Sequence, residues 1–386
     1  MNLPATPAAL DFTPQRSTSA TARPLLLCLS HLRWGFVYQR PQHVMSRLAQ
    51  AYEVLFWEEP VFSQTQAAHL VTSSPCAGVT VMVPHLPEGL DAEQIASAQR
   101  QLVDAYLQDN PPAELLMWYL TPMSLSFTEH LQARVTVFDC MDELSAFKGA
   151  PPELVVRERQ LLAKADVVFT GGHSLWQAKR QHHDNAHSMP SSVDIAHFAQ
   201  ARQAGAGAAD QRDIPEPRLG FFGVIDERFD SELIRDVAAE RPQWQIVLIG
   251  PVVKIDPASL PQAANIHYLG ARDYRELPSY LAGWAVALMP FAINESTRFI
   301  SPTKTPEYLA GGCPVVSTPV RDVVDGYGAS GVVHIAATAP AFIAAIDVAL
   351  QQKTREDFLS RADAALEGMS WDTTCGLMKE HIECLR

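Results

Sequence analysis

Ser301–Thr318 reads SPTKTPEYLAGGCPVVST. A short polar loop leads into a helix that is expected to open at Pro306, a position where a missing N–H costs nothing. Ser301, Thr303 and Thr305 stand before it as capping hydroxyls. Gly311–Gly312 breaks the helix, and Val315–Thr318 is a buried strand. Lys304 is out of place in this arrangement, because a cation at a helix start opposes the macrodipole by about 0.3–1 kcal/mol. A bound anion reverses that sign, since free N–H groups and Lys304 would face it together. Glu307, one turn in, is then placed to accept hydrogen bonds from a neutral diol such as a ribose. A diphosphate beside a sugar is what a nucleotide-sugar presents. On spacing alone, a solvated loop lysine and a helix-start carboxylate explain the pattern equally well.

Around this stretch, short apolar runs alternate with helical patterns, which argues for α/β layers with parallel sheets. Strands are expected at Leu25–Ser30, Glu53–Glu58, Val79–Val83, Leu115–Tyr119, Thr136–Asp139 and Val167–Thr170. Residues 199–217, which include AQARQAGAGAAD and IPEP, have no apolar period and read as a linker. The rhythm then restarts with strands at Leu219–Phe222, Gln245–Ile249, Ile266–Leu269, Ala285–Met289, Val315–Ser317 and Val332–Ile335. The expected organisation is a flexible tail over 1–23, a first unit over 24–198, the linker, a second unit over 218–369, and a terminal helix over 370–386. Ligands in open α/β sheets sit beyond the carboxyl ends of the strands. That places two polar clusters of the first unit at a cleft: SHLRWGFVYQRPQH from Ser30 and FDCMDE from Phe138. In the first, Arg33 and Arg40 suit a phosphate, and Trp34 or Tyr38 suits stacking on a sugar; His31 shares the loop. In the second, Asp139 or Asp142 fits a general base for an acceptor hydroxyl, with position favouring Asp139; either could instead cap the following helix. His173 follows Gly171–Gly172 at another strand end. The two glycines allow a tight approach to a ligand or to the neighbouring domain.

The run from Lys304 to Val316, K-x-x-E-Y-L-A-x-G-x-P-V-V, resembles the donor-binding motif of GT-B glycosyltransferases, close to glycosyltransferase family 4. In that family the second Glu of an E-x7-E pattern precedes such a helix, and Glu307 matches it. The first Glu is replaced by Phe299. The family also carries G-R-L-x-x-x-K-G after the first strand of the second unit, where its Arg and Lys grip the diphosphate. Here the Arg position is Val224, and Arg228 stands one residue from the Lys position. The resemblance therefore implies donor contacts at Gly223, Arg228, Lys254, Tyr268, Ser301, Thr303, Lys304 and Glu307. It also implies two Rossmann-like domains facing across a cleft, with the terminal helix crossing back to the first. The first-unit clusters resemble a bacterial subgroup that builds surface polysaccharides.

The activity so implied is glycosyl transfer from a nucleoside-diphosphate sugar to a carbohydrate or polyprenyl-linked acceptor, either inverting, which needs the carboxylate base, or retaining, in which the donor is held while its own phosphate assists. A UDP-sugar is favoured over a GDP-sugar, and neither a cofactor nor a metal is expected. A GT-B nucleotide-sugar epimerase and a non-catalytic GT-B binding domain are the alternatives. No G-x-G-x-x-G follows the first strand, where Leu29-Ser30-His31 stands, so a dehydrogenase is disfavoured. A net charge of −13 argues against general nucleic-acid binding but leaves room for a local basic patch at a membrane. Six cysteines without paired spacing fit a reducing compartment. With no apolar run near the roughly 18 residues of a membrane span, the expected location is cytoplasmic, including the inner face of the membrane.

Overall fold

The strands of a parallel sheet need long crossover connections, and helices between apolar β-runs supply them. The computed structural model, which describes residues 23–203, 205, 207–352 and 356–385, contains two such sheets. The tail expected over 1–23 lies outside the described residues apart from Arg23, whose guanidinium donates to the Ala49 carbonyl at 2.7 Å.

The first sheet holds β1 (Leu25–Leu29), β2 (Glu53–Trp57), β3 (Val61–Ser63), β4 (His69–Cys76), β5 (Val79–Pro87), β6 (Leu115–Tyr119), β7 (Val135–Cys140), β8 (Val167–Thr170) and β9 (Ala186–Ser188). Its order is β3-β5-β2-β1-β6-β7-β8-β9, with β4 antiparallel to β5. The second sheet holds β10 (Arg218–Phe222), β11 (Gln245–Ile249), β12 (Ile266–Gly270), β13 (Val286–Met289), β14 (Val315–Ser317) and β15 (Val333–Ile335). All its pairings are parallel, in the order β12-β11-β10-β13-β14-β15. In each sheet the chain order reverses beside the first strand, at β1 and at β10. The loops beyond these strands open the crevice in which ligands of such sheets are held.

Buried side chains lie on both faces of each sheet, as parallel sheets require. Cys28, Cys140 and Cys375 are buried free thiols within this packing, and the buried Cys313 Sγ donates to the Trp284 carbonyl at 3.8 Å. The segment joining the sheets is packed rather than loose: Ala201, Ala208, Gln211 and Ile214 are buried, and Gln211 Nε2 donates to the Tyr280 carbonyl at 2.9 Å. The last helix, Trp371–Glu383, returns to the first sheet. Trp371, Cys375, Met378 and Ile382 pack there with Leu26, Phe56 and Trp118. Trp371 also stacks on His43 at 4.5 Å, and Arg47 pairs with Asp372 at 2.6 Å. Among the described residues no helix is long and apolar enough to cross a membrane.

One local expectation needs correction. The helix containing Glu307 spans Lys304–Ala310, so Lys304 is its first residue and Pro306 its third. None of the first four N–H groups of a helix has an intrahelical acceptor, so a proline fits there as well. Thr303 takes the cap position without a side-chain hydrogen bond, and the Thr305 hydroxyl turns inward to Met289 Sδ at 3.0 Å. The expected hydroxyl caps are therefore absent at Thr303 and Thr305.

Candidate active site

The loops after β1 and β7 meet those after β10, β11, β12 and β13 around a cavity of about 560 Å³. Lys304 crosses its floor. Its stem lies over Gly223, where an added Cβ would overlap Lys304 Cε and lie 2.8 Å from Nζ. Gly223 has φ +147°, a conformation that other residues rarely adopt. Gly223 is thus fixed both by its backbone and by the lysine. Burial lowers the Lys304 pKa, while Glu307 pulls the other way. The buried Glu307 carboxyl is pushed up to about 8 by its own desolvation, opposed by the Lys304 charge. Among the described residues neither side chain makes a hydrogen bond or an ion pair. An unpaired cation and an uncommitted carboxyl, one helical turn apart, therefore face the same cavity.

Arg228 also lines it. Its Nε and Nη2 both engage Asp226, the latter at 2.7 Å, which leaves Nη1 for a ligand. The guanidinium sits 5.3 Å from the Phe147 ring, which belongs to the first unit. Ser301 and Thr303 border the cavity beside Lys304.

The first unit contributes Asp142, whose carboxyl burial pushes its pKa up while Arg228, Arg40 and Lys304 pull it down. Asp139, favoured by position as the base, is excluded from that role. It is fully buried (0% exposed), and both its oxygens accept from Arg40, at 2.7 Å for Nη2 and 3.0 and 3.2 Å for Nε. Arg40, 2% exposed, spends its remaining Nη1 on the Met189 carbonyl at 2.6 Å. Arg40 borders the cavity, but its charge is consumed by this pair, so it is not a free phosphate ligand.

Other expected site residues lie elsewhere. Arg33 ties the loop after β1 to the one after β2, donating to Glu58 (2.9 Å) and to the Glu59 and Pro60 carbonyls, and does not line the cavity. The Tyr268 hydroxyl donates to the Pro261 carbonyl at 2.9 Å, away from the cleft; the turn after β12 reaches the cavity through Ala271–Tyr274 instead. Lys254 is exposed outside the lining, with its ammonium 5.6 Å from the Phe147 ring. His31 also stands outside the lining, and burial and the Lys254 charge lower its pKa to about 4. His173 is exposed beside Trp176 and does not face the cavity. Trp34 does line it, with its ring edge-on to Phe56 at 5.1 Å.

Of the two glycines before His173, Gly171 leaves room for the Met141 backbone of its own unit, and Gly172 serves the neighbouring domain. An added Cβ at Gly172 would overlap Asp322 Oδ2 and lie 2.6 Å from Ser301 Cβ. Asp322 accepts from the Ser174 N–H at 3.0 Å, and Arg321 donates to Gln177 at 2.7 Å. A Gly172→Ala variant should therefore force the two units apart at this contact, and a larger radius of gyration by small-angle scattering would report it. Sequence reading missed a second contact across the cleft, Tyr38 against Tyr274, with rings 4.7 Å apart. Two aromatics in separate loops carry no spacing signal. Among the described residues no cluster of three or more His, Cys, Asp or Glu side chains is placed to hold a metal ion.

Residues 216–352 match the family described as Glycosyl transferases group 1. The chain is 24% identical over 225 residues to a Bacillus subtilis (strain 168) protein described as a teichuronic acid biosynthesis glycosyltransferase, TuaH. That match covers 52% of this chain and 55% of the relative, so it spans about half of the relative's length. Among solved structures, a sucrose-phosphate synthase from Thermosynechococcus elongatus is similar with TM-score 0.71 and 15% identity, covering 94% of this chain and 99% of the other. A trehalose-6-phosphate structure from E. coli, bound with UDP-2-fluoro glucose, gives 0.67 and 12%, covering 93% and 99%. WaaG, a glycosyltransferase involved in lipopolysaccharide biosynthesis, gives 0.64 and 12%, covering 92% and 99%. Residues 216–352 are thus similar to a glycosyltransferase group 1 domain, within a chain whose two facing Rossmann-like units have the GT-B fold.

Proposed function

We propose that this protein transfers a glycosyl group from a nucleoside-diphosphate sugar to a carbohydrate or polyprenyl-linked acceptor, in the manner of family 4 enzymes that build bacterial surface polysaccharides. The observation that carries the reading is the unpaired Lys304 stretched over Gly223 beside Glu307. Lys304 and Arg228 Nη1 hold the diphosphate, and Glu307 binds the ribose hydroxyls. The acceptor oxygen bonds to the anomeric carbon as the bond from that carbon to the diphosphate oxygen breaks. The electron pair leaves with the nucleoside diphosphate, where the two cations stabilise it, and the acceptor proton passes to Asp142. A UDP-sugar is the favoured donor; the uridine nucleotide bound in one structural neighbour supports it. The description of the Bacillus relative supports a polysaccharide acceptor. Free buried thiols support action inside the cell, including at the inner membrane face.

Above pH 8, where its carboxyl is ionised, Glu307→Ala should lower kcat/KM for the donor about 10- to 100-fold, the range for losing a hydrogen bond to a charged group. Unchanged donor turnover in that variant would sink the reading. Epimer formation from the donor alone, without acceptor, would instead favour an epimerase; the transferases and synthases among the relatives favour transfer.

A pH effect follows from the desolvation of Lys304. Its lowered pKa means that Lys304 loses its charge at lower pH than an ordinary lysine, near 10.4. A bound diphosphate favours the charged form, so binding should take up protons as pH rises towards the lowered value. Donor affinity should fall there. Titration calorimetry with UDP in two buffers of different ionisation enthalpy reads this directly; identical heats and flat affinity up to about pH 10 would contradict it.

A further inference from the structure

We infer that the acceptor is a glycosyl residue carrying no charge near its reacting hydroxyl, seated on the ring of Phe36. The inference rests on the glycosyl-transfer reading and narrows its acceptor class. Phe36 lines the cavity from the loop after β1 and is 48% exposed. Among the described residues it is the ring of that loop with no aromatic partner, whereas Trp34 packs on Phe56 and Tyr38 on Tyr274. A bare aromatic face on the wall of a cavity is the kind of surface a ligand covers.

The loop is built to hold that ring in place. Glu58 accepts from the Trp34 N–H at 2.8 Å and from Arg33 at 2.9 Å. Gln42 Nε2 donates to the Trp34 and Val37 carbonyls at 2.8 and 2.9 Å, and Gln42 Oε1 accepts from the Gln39 N–H at 3.0 Å. Phe36 therefore presents a rigid flat surface, which suits the apolar face of a pyranose ring.

Charge on this wall points the same way. Arg40 is neutralised by Asp139 and Arg33 by Glu58. Asp142 is then the ionisable group of the first unit that faces the cavity without a side-chain partner among the described residues. A phosphate or carboxylate on the acceptor would meet that carboxylate in a partly desolvated site, where like charges repel more strongly than in water.

The test is a nucleotide-release assay with the donor that gives the largest thermal shift. Neutral p-nitrophenyl hexosides are compared with hexose 6-phosphates as acceptors, in wild type, Phe36→Ala and Phe36→Trp. Neutral glycosides should accelerate release and hexose 6-phosphates should not. Phe36→Ala should raise the KM for the glycoside by about 3- to 10-fold, the scale of one aromatic contact. The donor KM should hold, and Phe36→Trp should restore the acceptor KM. A hexose 6-phosphate used as well as or better than the glycosides, no use of any glycoside, or an acceptor KM indifferent to Phe36→Ala would overturn the inference while leaving donor binding intact. A protein that binds no nucleotide-sugar would fail earlier, at the glycosyl-transfer reading itself.

Discussion

Lys304→Met should lower kcat/KM for the nucleotide-sugar by about 10²- to 10³-fold, the loss seen when one electrostatic contact to a developing anion is removed. Methionine keeps the unbranched stem that lies over Gly223 and deletes only the charge. The native ammonium is partly desolvated without an ion-pair partner among the described residues, so its removal should leave the melting temperature unchanged or raise it. Lys304→Arg should not rescue activity, because a planar guanidinium needs width where Gly223 leaves room for a methylene stem. Gly223→Ala keeps the lysine but places a methyl group where Lys304 Cε runs, in a backbone conformation unsuited to alanine. It should reproduce much of the loss. Steady-state kinetics and UDP thermal shift separate the effects: the wild type at 100 times its Kd gains roughly 2.7 kcal/mol from ligand, and Lys304→Met should lose most of that gain. Donor turnover within about threefold of wild type, against the loss expected from oxyanion-type contacts, would mean the diphosphate is held elsewhere.

Such a test is possible because much of the site could be read from residue order. Strands whose apolar runs are continuous, such as Leu25–Leu29 and Gln245–Ile249, were legible because burial on both faces leaves no polar alternation. β4 escaped because most of its residues are exposed and it contains a proline; β3 and β9 are three-residue edge pieces with no buried residue. Lys304 and Glu307 stood out because their oddity is local, a cation at a helix start. Asp139 and Arg40 were misjudged because their partners are each other, brought together only by the sheet order that sets the end of β1 near the end of β7. Arg228 was legible as a cation near a phosphate-binding turn. Its bond to Asp226, two residues away, was not, since neighbours along a loop face each other only when that loop is folded.

The two carboxylates of the FDCMDE cluster should therefore respond oppositely to the same change. Asp139→Asn leaves Arg40 buried beside a neutral amide, and breaking a buried pair from one side costs about 3–5 kcal/mol. Its melting temperature should fall sharply, while surviving folded protein should retain its kcat. Replacing both partners, Arg40→Met with Asp139→Leu, should recover part of the stability, since well-packed apolar pairs often substitute for buried ions. Asp142→Asn should do the reverse. Among the described residues the carboxyl has no ion-pair partner, so stability should hold, and kcat should drop by about 10²- to 10⁴-fold, the range for losing a general base. The donor KM should change little, because the proposed diphosphate contacts, Lys304 and Arg228, lie on the second unit. Burial raises the Asp142 pKa, so in the wild type kcat should decline on the acid side at a pH above the ordinary aspartate value of about 3.9. The sign follows from the role: the base works only when ionised, and protonation removes it. Asp142→Asn should abolish that acid limb. If the limb persists in Asp142→Asn, or if Asp142→Asn unfolds the protein while Asp139→Asn lowers kcat alone, the assignments must be exchanged.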